Sequence, residues 1–329
     1  MPLPLQDPYH RRIDYLRLSV TDRCNLRCTY CMPEEGVPRL GHEDILNYEE
    51  IIRLARIATR MGITKIRITG GEPLVRKDIL FLCANIAATP GLLSLSITTN
   101  GLFLSQYVRG LFVAGIKRIN ISMDTLKPEK YAAITRRDGF DEVWRGICAA
   151  QETGFAPIKL NAVVMRGVND DEIEDLACLT YHYPFEVRFI EFMPFQAEEG
   201  QDRFVSADEI RERLARVAPL LQTVSQSGNG PARHYRFPNA LGKIGIISPI
   251  SEHFCHSCNR LRVTADGKLR TCLFSSEETD IKTPLRQGAS DKEIMEQIKA
   301  AIKHKPERHA LDYGILRKCI SRPMVKIGG

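Results

Sequence analysis

Apolar positions along the first two thirds of this chain recur in two alternating rhythms. Short β-branched runs at residues 15–20, 65–69, 93–98, 117–123, 158–164 and 186–192 read as strands. Between them, residues 48–61, 77–88, 104–114, 140–153 and 170–181 carry apolar side chains at helical spacing. In the first of these, Ile51, Leu54, Ala55 and Ala58 fall at i, i+3, i+4 and i+7, which lays one apolar stripe against a neighbour. Asn47 followed by Glu50 offers an approximate capping box at its start.

Strands that alternate with helices, without hairpin turns between them, predict parallel pairing through right-handed crossovers. A doubly wound sheet and a barrel both satisfy this. Six units rather than eight suggest a partial (βα)6 TIM-type barrel, whose active site would lie at the C-terminal strand ends. Gly70, Gly71, Asn100, Gly101, Asp124, Met193 and Pro194 fall there. Residues 222–233, QTVSQSGNGPAR, form a polar, Gly/Ser-rich connection expected to be mobile. Beyond it come strand-like pieces at 234–237, 245–247, 261–264 and 269–272 and a helix at 291–303. The expected fold is therefore α/β: a partial barrel over residues 1–221, with a smaller C-terminal α+β unit over 222–329 closing the open side.

Composition adds bounds. With 329 residues, 43% hydrophobic and 26% charged, the chain has the make-up of a globular protein of about two domain lengths. No stretch reaches the roughly 18 apolar residues of a membrane span, and the N-terminus MPLPLQDPYHRR has no apolar signal core. A cytoplasmic protein with no membrane partner is expected. The 46 Lys plus Arg against 40 Asp plus Glu leave +6, too mild to imply nucleic acid. It fits either a surface with a few extra lysines or one concentrated anion site.

The ten cysteines are the unusual feature. In a reducing compartment, clustered cysteines point to metal ligands or redox groups rather than disulfides. Cys24, Cys28 and Cys31 share one loop directly after the first strand; Cys255, Cys258 and Cys272 form a second set near the end. Three thiolates can hold an iron-sulfur cluster with one iron left open, or zinc completed by a remote His or Cys, which for the second set would be His253 or His256. Arg260 and Arg262 alternate onto one face of a short strand beside the second set, and two guanidiniums aimed at one point suit a phosphate chain. Arg17, Arg67 and Lys159 sit inside apolar strands, where a charge needs a partner. Cys83, Cys148 and Cys178 fall in helical patterns as small hydrophobes, Cys319 is left open, and Arg188 and Glu191 either pair with each other or face the site.

The CxxxCxxC loop with Tyr30 before its last cysteine, followed by Gly70-Gly71-Glu72-Pro73, resembles the signature of the radical S-adenosylmethionine (SAM) superfamily. The resemblance implies that the open iron chelates SAM and that an electron from the cluster releases a 5′-deoxyadenosyl radical. With CHSCNRLRVTADGKLRTCL and the closing Ile327-Gly328-Gly329 added, nearly the whole chain, from Leu18 to Gly329, is similar to the GTP 3′,8-cyclase family of molybdenum-cofactor biosynthesis. That likeness implies a second 4Fe-4S cluster on Cys255, Cys258 and Cys272 facing the guanine of GTP. It maps SAM contacts onto Tyr30, Gly71, Ser122 and Met193, and GTP contacts onto Arg17, Arg67, Thr98, Lys159, Arg260, Leu261 and Arg262. It gives catalytic roles to Arg17, Arg260, Arg262 and the terminal Gly328 and Gly329, which reach into the site. Implied partners are GTP, an electron donor such as flavodoxin or ferredoxin, and a downstream cyclic pyranopterin monophosphate synthase; the family is often dimeric. The competing readings are another radical SAM enzyme with an auxiliary cluster, of the peptide-maturase type, and a non-catalytic zinc-ribbon protein.

Overall fold

The computed structural model describes residues 5–193, 202–223, 230–309 and 322–328. The first half runs β1 (Tyr15–Ser19), α1 (Tyr48–Arg60), β2 (Lys65–Thr69), α2 (Ile79–Ala87), β3 (Ser94–Thr99), α3 (Leu104–Val113), β4 (Arg118–Ser122), α4 (Pro128–Thr135) and α5 (Phe140–Thr153). It continues with β5 (Ile158–Val164), α6 (Ile173–His182), β6 (Glu186–Glu191), α7 (Ala207–Val217), β7 (Leu221–Thr223), β8 (Ala232–Arg236) and β9 (Lys243–Ile247). The remainder is β10 (Arg260–Val263), β11 (Lys268–Arg270), β12 (Thr279–Asp280), α8 (Lys282–Arg286), α9 (Asp291–Lys303) and α10 (Met324–Ile327).

All six expected strands form, and β1 to β6 pair in parallel in sequence order. The capping box at Asn47 and Glu50 closes the start of α1, whose Ile51, Leu54, Ala55 and Ala58 are buried. The stretch expected as a helix from residue 170 opens instead with a 3-10 turn, and α6 proper begins at Ile173. Helices α4 and α7 were not foreseen; their apolar positions are few, and Pro128 and Ser206 are the local signals of their starts.

The C-terminal strands do not build a sheet of their own. They extend the same twelve-stranded sheet at both edges, in the order β12-β11-β10-β1-β2-β3-β4-β5-β6-β9-β8-β7. Strand β10 lies parallel to β1 and β9 parallel to β6, so eight adjacent strands run the same way, flanked by antiparallel pairs. The physical reason is that β1 and β6 would otherwise leave unpaired edges, which later strands cover. Residues 224–229 of the expected mobile connection lie outside the described residues, and β7 and β8 pair on either side of them.

Alternation divides the strands by face. Ile66, Ile68, Ile97, Ile119 and Ile121 are fully buried in the hydrophobic core, with Ile51, Leu54 and Ile57 of α1 and Leu111 of α3. Each such side chain stabilises the fold by about 1.5–3 kcal/mol. The opposite face of the same strands carries the polar residues.

Candidate functional site

That polar face lines a cavity of about 390 Å³ reached by β1 to β6, β8 and the cysteine loops. Its two ends are the two cysteine sets. Cys24, Cys28 and Cys31 follow the C-terminal end of β1, whereas Cys255 and Cys258 precede β10, whose first residue Arg260 pairs with Tyr15 at the start of β1. A five-residue strand at about 3.3 Å per residue therefore holds the sets roughly 16 Å or more apart along the sheet. All six are free thiols lining the cavity.

The first loop is fixed from several sides. Arg27 and Thr29 amides donate to the Thr135 and Ile134 carbonyls at the end of α4, both at 2.9 Å. Gly70 and Gly71 are required by this loop: a Cβ on Gly71 would stand 2.3 Å from the Arg23 carbonyl, and one on Gly70 2.8 Å from that of Thr21. Their smallness thus serves the packing of the cysteine loop, and both also line the cavity. Glu72 ties the turn to β3, accepting from Thr99 Oγ1 at 2.8 Å and the Asn100 amide at 2.6 Å, and burial pushes its carboxyl up to about 7. Asn100 in turn donates to Asn25 at 2.7 Å and leans on the Cys24 thiol at 3.8 Å. Tyr30 donates to Asp124 at 2.9 Å, and burial lifts that carboxyl to about 6.

Between the sets lies a row of cations dictated by strand register. Arg262, Arg17 and Arg67 are direct partners on β10, β1 and β2, so three guanidiniums stand side by side at strand spacing. Burial, followed by the Arg262 charge, drives the Arg17 pKa well down, and burial with Arg260 brings Arg262 to about 9. Among the described residues no carboxylate pairs with either. Arg17 Nε has no hydrogen-bond partner, and Arg17 and Arg262 both donate to the Gly328 carbonyl at 3.3 Å. Like charges crowded in a row, with Arg262 buried and Arg17 and Arg67 half-buried, call for an anion. Across the cavity Lys159 faces Glu186 at 3.5 Å, and burial with the Arg188 charge brings its pKa down to about 8.

The sequence-derived residues mostly converge here. Tyr30, Gly71, Ser122, Met193, Arg17, Arg67, Thr98, Lys159, Arg260 and Arg262 all line the cavity, as do the six cysteines. Leu261 does not: alternation turns its side chain to the other face, against Leu16 and Leu5. Gly328 is within reach of the site, while Gly329, Pro194 and Cys319 lie outside the described residues. Arg188 and Glu191, three apart on one strand, point to opposite faces. Arg188 lines the cavity and donates to Glu186 at 2.6 Å, whereas Glu191 is fully buried and accepts the amides of Ala207, Ile250 and Ser251. Sequence reasoning missed Glu186, His234 and Lys305, which become neighbours of the site only through the register of β6 and β8 and the return of the chain after α9.

The donor sets can be tested against the metal chemistry they imply. Among the described residues no three His, Cys, Asp or Glu side chains gather tightly enough for a single ion; tetrahedral zinc needs thiolates about 3.8 Å apart. Three thiols opening onto one cavity, with small donors such as the Leu26 amide at 3.4 Å from Cys24 Sγ, suit a larger four-iron cluster that leaves one iron facing inward.

Comparison with known proteins agrees. The Radical SAM superfamily model matches residues 18–180 and the Molybdenum Cofactor Synthesis C model residues 185–311. A GTP 3′,8-cyclase of Moorella thermoacetica is 50% identical over 326 residues, covering 99% of this chain and 100% of that protein. The chain belongs to the GTP 3′,8-cyclase family. Another cyclase, from Pelotomaculum thermopropionicum, is 48% identical across 99% of this chain and 100% of its own. Molybdenum cofactor biosynthesis protein 1 of Bos taurus is 44% identical over 98% of this chain and 51% of that longer protein. Among solved structures, Streptococcus suis SuiB aligns at TM-score 0.62 with 15% identity over 89% of this chain and 69% of its own, which shows the shared α/β fold with its mostly parallel sheet. As a cyclase, the chain is a radical SAM enzyme. No helix among its described residues is long and apolar enough to cross a membrane.

Proposed function

We propose that this cavity binds GTP between the two cysteine sets and converts it to (8S)-3′,8-cyclo-7,8-dihydroguanosine 5′-triphosphate, the first step of molybdenum cofactor synthesis. The observation that carries the reading is the in-register row of buried Arg262 and half-buried Arg17 and Arg67, unanswered by carboxylates among the described residues and set between two sets of three thiols. A triphosphate brings about four negative charges to that row.

In this reading Cys24, Cys28 and Cys31 hold the SAM-side 4Fe-4S cluster, and Cys255, Cys258 and Cys272 hold the substrate-side one. Tyr30, Gly71, Ser122 and Met193 hold SAM. When bound, SAM and its cluster supply a 5′-deoxyadenosyl radical able to take the ribose C3′ hydrogen. The chain's own residues then fix the distance between C3′ and guanine C8. Arg17, Arg67, Lys159, Arg260 and Arg262 clamp the phosphates, and Thr98, whose buried Oγ1 has no partner, offers a hydroxyl. Leu261 would touch substrate through its backbone alone. Gly328 brings its carbonyl to Arg17 and Arg262 and orients those guanidiniums, while the catalytic role of Gly329 rests on the family likeness alone. The partial-barrel description, with residues 1–221 as barrel and 222–329 as the closing unit, belongs to this proposal, as do a flavodoxin or ferredoxin donor, a downstream synthase, dimerisation and a cytoplasmic setting.

The test is anaerobic incubation with reductant, SAM and GTP. Formation of 5′-deoxyadenosine that depends on GTP and comes with one cyclised nucleotide is expected. Equal SAM cleavage with ATP, or a colourless zinc-containing protein, would sink the assignment.

A further inference from the structure

Among the described residues a further buried cation stands at the second cysteine set. Lys305 follows α9, is 3% exposed, and no carboxylate among the described residues answers its charge; its electrostatic neighbours are Cys258, Cys272, Arg11 and Arg260. Its Nζ donates to the carbonyl of Thr271, the residue before Cys272, to that of Arg260 at 3.1 Å, and lies 3.6 Å from Cys258 Sγ. Those three acceptors use all three protons of an ammonium. Arg11 locks the following backbone in place, donating to the Pro306 and Glu307 carbonyls at 2.7 Å and to that of Cys255 at 2.8 Å. The ammonium is thus held at one ligand thiol and beside a second, in a pocket where an unpaired charge is costly.

Hydrogen bonds to the sulfurs and nearby charge set the reduction potential of an iron-sulfur cluster. Among the described residues no ammonium or guanidinium donates to a thiol of the first set: Cys24 accepts from the Leu26 backbone amide and the Asn100 side-chain amide, Cys31 from the Val325 amide, and the charges of Glu72 and Asp124 stand near the thiols, with Arg27 opposing them at Cys24. We propose that Lys305 is a positioning residue for the substrate-side cluster. Its ammonium donates a charge-assisted N–H···S bond to the Cys258 thiolate and raises the reduction potential of that cluster alone. This rests on the reading of Cys255, Cys258 and Cys272 as cluster ligands.

The test is an EPR-monitored redox titration of the reconstituted full chain, in which one signal is assigned by its response to SAM and the other by its response to GTP. In Lys305→Met the GTP-responsive signal should move to a more negative midpoint while the SAM-responsive one stays. Lys305→Arg should keep the wild-type midpoint. Should Lys305→Met load poorly, Lys305→Gln keeps a neutral donor, and its midpoint should still lie below that of Lys305→Arg. Equal midpoints for the Gln and Arg variants, or an unmoved signal in a fully loaded Met variant, would overturn the proposal and leave Lys305 a backbone clamp. A wild-type chain with about four irons and no GTP-responsive signal would instead overturn the underlying cluster reading.

Discussion

The two cysteine sets share residue type and the two-residue gap of their closest pairs, yet their surroundings oppose each other. Burial raises Cys24 to about 11 and Cys31 to about 12, and sends Cys28 well above its ordinary range, with Cys31 and Asp124 adding to it. In the second set burial also acts, but at Cys258 the charges of Arg260 and Lys305 outweigh it and bring the thiol down to about 6. The first set sits in a neutral to acidic pocket, the second among cations. In the proposed reading the first pocket would suit a cationic sulfonium, and the cations around the second would suit an anionic substrate.

The largest effect should come from breaking one set and leaving the other. Cys28→Ala and Cys258→Ala should each halve the iron, from about eight to about four per chain. The first should abolish SAM cleavage. The second should keep 5′-deoxyadenosine formation at a reduced level and lose the cyclised product. Identical losses in both variants, measured by iron assay and chromatography, would remove the division of labour.

Next in size is the arginine row. A buried charge-assisted hydrogen bond contributes about 1.5–3 kcal/mol, or about ten- to a hundredfold in affinity. Arg17→Ala and Arg262→Ala should weaken GTP binding by about that much in calorimetry, with SAM binding changed less than about twofold.

Gly328→Ala ranks third. Gly328 has φ +82°, and an added Cβ would stand 2.9 Å from Ser19 Cβ and 3.0 Å from Thr69 Oγ1. The left-handed conformation costs about 1–2 kcal/mol outside glycine, so turnover should fall about tenfold and GTP affinity should weaken through Arg17 and Arg262, while iron content holds. Unchanged turnover would mean that the tail only rests against the arginines.

How much of this was legible beforehand follows from the range of the interactions. The six strands, the alternation of Arg260 with Arg262 and both cysteine sets are local patterns, and they appeared where expected. The merging of β9 and β10 with β6 and β1 was hidden, because edge pairing depends on which strand lies free in space. Glu191 shows the same limit: its three backbone donors come from residues 207, 250 and 251. The cation row was half visible, since each arginine could be suspected in its own strand, but their alignment is a matter of register between strands more than forty residues apart. Lys305 gave no signal, because a lysine after a helix is ordinarily solvated.

The smallest expected effect is a pH limb on the substrate side. Burial, then Arg188, lowers Lys159 to about 8, while Glu186 pulls it back up. Below that pH the ammonium is already charged and meets the triphosphate directly. Above it, binding must first protonate the amine, so KM for GTP should rise with pH, approaching tenfold per unit well above 8 and only about twofold at the midpoint. Lys159→Met should bind GTP more weakly at pH 7 and show no such limb. Glu186→Gln removes the carboxylate that holds the proton on, so its limb should start at lower pH. A limb that persists in Lys159→Met would assign the titration to another group and detach Lys159 from the phosphate site.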